Sequence, residues 1–304
     1  MKAVVYDDFG GADVLRLDDV PSPKYAQNDV LVKVRAAGVN PADIALRSGA
    51  GARFIDTWFP VVPGWDVAGV VEAVGAGVTE FAPGDEVIGY LHKEILHGGT
   101  YAELAAGPAE RFVRKPATLS WEEAAALPLA SVTAAQAIRA LGLTQKASVV
   151  VLGASGGVGS LAAQLARVQG HRVIGVGSVR GLQFLRSLGF ETVVKGTEAA
   201  AAILSECSGN VDAVVDCAGH GGINLLRAAF STDTRIVSIA DGGDGIRTVF
   251  ARPLREDLAY VVDQAGRGSV RANVFAQFPL SQASMAQDLV ASGEAAGRVV
   301  LRVS

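Results

Sequence analysis

The sequence predicts an α/β protein of two domains, a β-rich, partly open antiparallel barrel followed by a doubly wound parallel sheet. Three observations carry that prediction. An unbroken apolar run at 148–152 leads straight into a glycine-rich turn and an apolar-faced helix. Downstream of it, apolar strand patterns alternate with helical ones to about residue 239. Upstream, short β-branched runs are separated by Gly, Pro and Asp turns. A chain of 304 residues with 50% hydrophobic content and 36 glycines is large enough to bury two such cores.

In chain order, runs at 2–5, 30–34, 67–74 and 86–90 are the strands of the first domain, spanning 1–117. Ser120-Trp-Glu-Glu123 is a capping box, with Ser120 placed to accept a first-turn N–H and Glu123 to reach back, so a helix starts there at the domain boundary. The second domain, 118–269, carries strands at 148–152, 172–176, 192–194, 212–215 and 235–239, with helical patterns at 182–188 and 223–230. A further strand near 247–251 and a helix near 255–265 follow. Residues 270–304 hold two more strands and a helix and return to complete the first domain. Internal repeats are absent from the sequence.

Val149, Val150, Val151 and Leu152 form a strand apolar on both faces. Behind it, Gly153, Ala154, Ser155, Gly156, Gly157, Val158 and Gly159 make a turn whose glycines let main-chain N–H groups approach a pyrophosphate. Leu161, Ala162, Leu165, Ala166 and Val168 then line one helix face, so the phosphate meets a helix N-terminus with its unpaired donors. The second and third glycines of the G-x-G-x-x-G pattern fall on Gly156 and Gly159, but the first falls on Ala154. The strand before the turn and the helix after it therefore carry the dinucleotide assignment.

Dinucleotide sites selective for NAD place an acid about 20 residues past the glycines, on the ribose hydroxyls. Here the second strand runs out at Ser178-Val-Arg180 without one. A hydroxyl and a guanidinium suit a 2′-phosphate, and Lys195 at the end of the next strand can add a second cation, so NADP(H) is the expected cofactor.

A net charge of −4 and the lack of any Lys/Arg run argue against nucleic-acid binding. No stretch is long and apolar enough to cross a bilayer, and the first residues lack a signal-peptide core, so a cytoplasmic protein with no membrane partner is expected. Only Cys207 and Cys217 occur, which makes a disulfide framework improbable and leaves the first 206 residues without a thiol.

Seven segments together resemble the medium-chain dehydrogenase/reductase superfamily, in its zinc-free, zeta-crystallin-like quinone oxidoreductase branch. They are Ala-Ala-Gly-Val-Asn-Pro-Ala-Asp at 36–43, Val-Pro-Gly-Trp-Asp-Val-Ala-Gly-Val-Val at 62–71, Phe-Ala-Pro-Gly-Asp-Glu-Val-Ile-Gly at 81–89, Gly-Gly-Thr-Tyr-Ala-Glu at 98–103, Glu-Ala-Ala-Ala-Leu-Pro-Leu-Ala-Ser-Val-Thr-Ala at 123–134, the glycine turn, and Gly-Arg-Val-Val-Leu at 297–301. The resemblance implies a GroES-like catalytic domain, a Rossmann-type nucleotide domain and a homodimer formed through sheet edges. Zinc-dependent members carry a Cys where this chain has Gly38-Val39-Asn40 and a His-Glu pair where it has Trp65-Asp66. His92 and His97 have no third ligand beside them, so no metal is expected.

What the resemblance then implies is direct hydride transfer from NADPH to an electron-poor acceptor, a quinone or an α,β-unsaturated carbonyl. Asn40 is the candidate donor to the acceptor oxygen, and Asp43 starts the following helix. Some relatives have a pocket Tyr where this chain has Ala45; Trp58, Phe59 and Trp65 are the candidate substrate wall. Tyr101 belongs to a structural motif. Cofactor contacts carried over by motif are Thr133, Cys217, Ala218, Ile239 and Ala240, and Arg298 is a further candidate from the returning C-terminal segment. The competing expectation is a non-catalytic NADPH-binding protein, a redox sensor or an RNA-binding relative.

Overall fold

The computed structural model describes residues 1–207 and 209–303. The chain forms two compact units: the first takes Met1–Leu129, Pro253–Gly266 and Val274–Ser304, the second Ala130–Arg252 and Arg267–Asn273. Residues 118–129 and 253–266 thus group with the first unit, where the sequence places them in the nucleotide domain.

The N-terminal part of the first unit contains β1 (Lys2–Val5), β2 (Arg16–Asp19), β3 (Asp29–Val39), α1 (Pro41–Arg47), β4 (Asp56–Thr57), β5 (Asp66–Val74), β6 (Glu86–Tyr90), β7 (Ile95–Leu96), β8 (Leu104–Pro108), β9 (Phe112–Arg114) and α2 (Trp121–Ala125). The Ser120–Glu123 capping box forms as predicted: Glu123 N donates to Ser120 Oγ (3.1 Å), and Ser120 N to Glu123 Oε2 (2.9 Å). The second unit follows with α3 (Pro128–Ala140, which begins two residues before the boundary), β10 (Ser148–Leu152), α4 (Gly157–Val168), β11 (Arg172–Gly177), α5 (Gln183–Ser187), β12 (Glu191–Val194), α6 (Ala199–Glu206), β13 (Ala213–Asp216), α7 (Gly222–Leu225), β14 (Arg235–Ser238) and β15 (Ile246–Thr248). The chain then returns to the first unit as α8 (Arg255–Gly266), β16 (Val274–Pro279), α9 (Ala283–Ala291) and β17 (Arg298–Arg302).

The main sheet of the first unit has the order β16-β17-β3-β5-β6-β9. β3 organises it. One edge pairs along its length with β5; the other pairs first with β8, over Asp29–Lys33, and then with β17, over Ala36–Val39. Register shifts between Leu31 and Val32 and between Val34 and Ala36 bend β3, which lets the sheet curl toward a barrel. Val32, Val34, Val67, Val87, Phe112 and Leu301 lie in the buried cluster this curl encloses.

β3 is five residues longer at its C-terminal end than the β-branched run at 30–34 predicts. Ala36, Ala37 and Gly38 carry little strand propensity, and pairing on both edges keeps them extended. At Gly38 the fit requires glycine: a Cβ would stand 2.5 Å from Ala125 O and 2.8 Å from Asp66 Oδ2. α8, which buries Leu258, Val261, Val262 and Ala265, groups with the first unit and is flanked by Arg111 Nη1 on Pro253 O (2.6 Å) and Thr118 Oγ1 on Gly266 O (3.1 Å).

The second unit is a six-stranded sheet, every pair parallel, in the order β12-β11-β10-β13-β14-β15. Numbered within the unit this is 3-2-1-4-5-6, the doubly wound order expected from the alternation of elements. Val150, Leu152, Ile174, Val214 and Ile236 lie in its buried core. The helix predicted over 223–230 is broken: α7 ends at Leu225, and a 3-10 turn takes Arg227–Ala229. Among the described residues, no helix is long and apolar enough to cross a membrane.

Candidate functional site

In the second unit the strand order reverses between β10 and β13, which lie side by side. Ligands of open α/β sheets gather at the carboxyl ends of such strands, and the glycine turn stands at that point. Gly153 has φ +71°, and a Cβ there would sit 2.9 Å from Ala218 N, on the loop leaving β13. A Cβ on Gly159 would overlap Gly153 O, so α4 packs directly on the turn. Gly156 caps α4 without a side-chain bond, and a Cβ on it would meet only Gly153 O, at 3.4 Å. Gly157, Val158 and Gly159 are the first residues of this 12-residue helix, ahead of the first intrahelical N–H bond, Ser160 N to Gly156 O. Their donors face a turn free of side-chain bulk, and the residues fit a dinucleotide phosphate.

Beside the turn, Asp216 ties together the loops after β13 and β14. It is fully buried; its Oδ1 accepts from Ala218 N (3.0 Å) and Gly219 N (3.1 Å), and its Oδ2 from Ser238 Oγ (2.8 Å). Ser238 Oγ in turn accepts from Ala240 N (3.1 Å) and Asp241 N (2.9 Å). The sequence reading chose Cys217, Ala218, Ile239 and Ala240 and missed the Asp216–Ser238 pair, whose side chains hold Ala218 N and Ala240 N. Its signal was an acid closing an apolar strand, Val-Val-Asp. Burial, helped by the Asp216 carboxylate, pushes the Cys217 thiol up, away from thiolate reactivity.

At the end of β11, Ser178 Oγ accepts from Gly181 N (3.2 Å), and a Cβ on Gly181 would overlap Ser155. Ser155 and Ser178 are thereby brought together around one turn. Exposed Arg180 lies within it, and exposed Lys195 follows the neighbouring β12, its N bonded to Gly177 O (2.8 Å). Thr133 is buried on α3.

The polar centre of the first unit lies where three neighbouring strands end together. β3 ends at Val39, β5 begins at Asp66 and β17 begins at Arg298. Asn40 caps α1, with Pro41 in the first turn and Asp43 at the third helical position. Asn40, Asp43, Asp66 and Arg298 are all buried. Asp66 Oδ2 accepts from Asn40 Nδ2 (2.9 Å) and Arg298 Nη2 (2.9 Å), and its Oδ1 from Leu129 N (2.8 Å) at the start of α3. Arg298 Nε donates to Ala126 O (2.9 Å). Asp43 Oδ2 accepts from Asn40 N (2.8 Å) and Tyr101 OH (2.9 Å).

Arg298, read from the sequence as a candidate cofactor contact, bonds a carboxylate within its own unit. Asp66 is fully buried, and a buried charge without a partner is strongly destabilising. Burial pushes the Asp66 carboxyl up, and Arg298, Asn40 and Leu129 N–H work against that. Asp43 is pushed up to about 7, first by burial and then by the Asp66 charge, against the hydrogen bonds from Asn40 N and Tyr101. Burial and Asp43 hold the Tyr101 phenol well above its ordinary range.

The three aromatics read as one substrate wall separate in the structure. Trp65 is buried, edge-on to Tyr90 (6.4 Å between ring centres) and tilted on His92 (4.5 Å). Phe59 meets Tyr6 and Phe9 edge-on. Trp58 is 60% exposed, its carbonyl 2.8 Å from His97 Nδ1. They are close in sequence, but Trp58 follows the short strand β4 while Trp65 opens into β5, so their rings take different surroundings. Among the described residues no three His, Cys, Asp or Glu side chains converge on a point that could hold a metal ion.

Residues 26–117 match the alcohol dehydrogenase GroES-like domain family, and residues 157–266 match the zinc-binding dehydrogenase family. The chain is 32% identical over 324 residues to a chloroplast envelope quinone oxidoreductase homolog of Arabidopsis thaliana, covering 99% of this chain and 98% of that protein. It is also 32% identical over 317 residues to a chloroplastic NADPH-dependent alkenal/one oxidoreductase of the same plant, covering 99% and 79%. Among solved structures it is similar to an NAD-dependent alcohol dehydrogenase (30% identity, TM-score 0.92, 100% of both chains). It is likewise similar to the quinone oxidoreductase of Coxiella burnetii (31% identity, TM-score 0.87, 100% and 99%).

Proposed function

Because the chain belongs to the medium-chain dehydrogenase/reductase superfamily, in its quinone oxidoreductase branch, we propose that it reduces a quinone or an α,β-unsaturated carbonyl with NADPH and without zinc. The observation that carries the reading is the fit of the glycine turn at the β10/β13 switch point, where Gly153 and Gly159 let main chain pack on main chain and leave helix donors free. Similarity to proteins named quinone oxidoreductase and alkenal/one oxidoreductase supports the acceptor class.

The residues around Asp66 do not fit a catalytic zinc. Its oxygens face an amide, a guanidinium and a peptide N–H, and a cation there would have to displace Arg298. When bound, the nicotinamide supplies a hydride to the acceptor, and the accompanying proton comes from solvent. The chain's share of the work is positioning. Asn40 is the side chain that the family resemblance makes a donor to the acceptor oxygen; Asp66 takes one of its amide hydrogens and leaves the second for a ligand. Ser178, Arg180 and Lys195 favour a 2′-phosphate, and no acid stands at the end of β11 to hold a ribose diol.

Titration of the purified protein with NADPH and with NADH tests the cofactor, and equal affinities would sink the 2′-phosphate assignment. An NADPH-oxidation screen over quinones and enones tests the reaction, and absence of turnover with every acceptor would leave a non-catalytic NADPH-binding protein. We further propose a homodimer through the edge strand β15, beyond which Phe250 is 83% exposed. Sedimentation of a Phe250→Asp variant as monomer, against a wild-type dimer, is the expected result.

A further inference from the structure

His92 follows β6, and the pairing of that strand fixes where it stands. Tyr90, the last residue of β6, is the register partner of Asp66, and Leu91 N continues the pairing onto Trp65 O (2.7 Å). His92 is therefore delivered to the end of the sheet at which Asn40, Asp66 and Arg298 meet. Its ring lies 4.5 Å from that of Trp65, tilted by 53°, and 6.1 Å from that of Tyr90, edge-on. Both of these side chains are buried, so they make a fixed bed for an imidazole that is itself half-buried.

The nitrogens of this ring are uncommitted. Among the described residues neither takes part in a hydrogen bond, whereas the nearby His97 has its Nδ1 on Trp58 O (2.8 Å). The ring is also uncharged at neutral pH. Burial lowers the imidazole from its ordinary value of 6.5, the Arg111 charge lowers it further, and Glu94 opposes both. Arg111 keeps its place, with Nη1 on Pro253 O (2.6 Å). A neutral imidazole carries one N–H donor and one bare nitrogen. Quinones and enones present a carbonyl oxygen and bring no donor, so the N–H is the end they can use. That oxygen gains negative charge as hydride arrives on carbon, and a donor already aimed at it binds more strongly as the charge grows. A histidine held neutral can do this without giving up its proton.

We propose that His92 is a catalytic residue whose ring N–H, seated on Trp65, donates a hydrogen bond to the carbonyl oxygen of the quinone or enone. No covalent bond to His92 forms or breaks: its proton stays on nitrogen, and the product takes its proton from solvent. The proposal rests on the reductase reading above and deepens it, adding to Asn40 a second side chain of the first unit that meets the acceptor.

The test compares wild type with His92→Phe, which keeps a ring on Trp65 but has no N–H, and with His92→Gln, which keeps an N–H. For NADPH-dependent reduction of 1,4-naphthoquinone, His92→Phe should lower kcat about 10- to 100-fold, the range for a hydrogen bond to a charged group, with KM changed less than kcat. His92→Gln should recover most of that loss. An unchanged kcat in His92→Phe overturns the proposal, and so does an equal loss in both variants, which would make the ring's role packing alone. A second measurement needs no turnover. The chain has four histidines, so the ring signals of His92 in a 15N spectrum are assigned by their loss in either variant. Added to wild type with NADP+ in place of NADPH, 1,4-naphthoquinone should move the His92 N–H signal, and naphthalene, a flat ring without a carbonyl, should leave it in place. No shift, or the same shift with both probes, overturns the proposal even where His92→Phe does not fold. A wild type whose His92 signal answers to naphthoquinone but which oxidises NADPH with no acceptor would instead refute the reductase reading, so the two failures are distinguishable.

Discussion

Replacing Asp43 with Asn should flatten the pH dependence of stability of the first unit. The carboxyl is buried, and its pKa rises from 3.8 to about 7 in the folded protein. A raised carboxyl binds its proton more tightly in the fold than in the unfolded chain. The stability it contributes is therefore complete below about pH 4 and is lost as pH climbs toward about 7. Roughly three units at about 1.4 kcal/mol each set a ceiling of about 4 kcal/mol on that loss. The carboxamide introduced by Asp43→Asn does not titrate, yet its carbonyl can keep the hydrogen bonds from Asn40 N and Tyr101 OH that Oδ2 now accepts. Its NH2 would replace Oδ1, which accepts nothing in the protein. All three tryptophans, Trp58, Trp65 and Trp121, lie in the first unit, so their fluorescence reports its unfolding separately from that of the second. Urea unfolding between pH 5 and 8 should show wild type losing stability relative to Asp43→Asn by up to about 1.4 kcal/mol per pH unit, with the variant more stable at pH 8. Parallel curves for the two proteins would refute the raised carboxyl, and so would a variant less stable at every pH.

In Gly159→Ala, the new Cβ overlaps the Gly153 carbonyl, which is backbone and cannot rotate away. The second unit should lose about 1–3 kcal/mol in calorimetry, and NADPH binding should fall at least about ten-fold. Arg180→Ala should weaken NADPH roughly 10- to 100-fold, the range of a charge-assisted bond, while leaving NADH nearly unchanged in the same titration. Arg298→Met leaves the Asp66 carboxylate buried without its cation, and should destabilise the first unit by about 3–5 kcal/mol in urea unfolding. Adding Asp66→Leu to Arg298→Met should recover much of that loss, since the uncompensated charge goes with it.

The second unit was the more legible half because its signals are local. Val149, Val150, Val151 and Leu152 can only be a strand covered on both faces, and the glycines behind them serve contacts within a few residues or with the next strand end. Even there Asp216 escaped notice, since its partners are two main-chain N–H groups just ahead and Ser238, set beside it by β13–β14 pairing. In the first unit the decisive contacts are remote. Nothing near residue 298 says that its guanidinium meets Asp66, 232 positions earlier. Arg298 consequently read as a cofactor contact, and the motif holding Trp65 and Asp66 read for its aromatic rather than its acid. The second half of β3, weak in propensity, became a strand only because β17 came back to pair with it.

That return also explains why the polar centre can exist. β3 and β5 alone would bring Asn40 beside Asp66, since Gly38 and Asp66 are register partners. They would leave the acid buried with an amide and one peptide N–H, too little to hold a charge away from water. β17 pairs Val299 with Val39 and so delivers Arg298 to the same sheet end. The guanidinium supplies the missing counter-charge, and its second bond, to Ala126 O, fixes it beside α2. The order of dependence runs from the sheet to the ion pair, and from the ion pair to the placement of the Asn40 amide. An Asn at position 40 is therefore not sufficient in itself. Without the acid and the cation behind it, the same carboxamide could present either end.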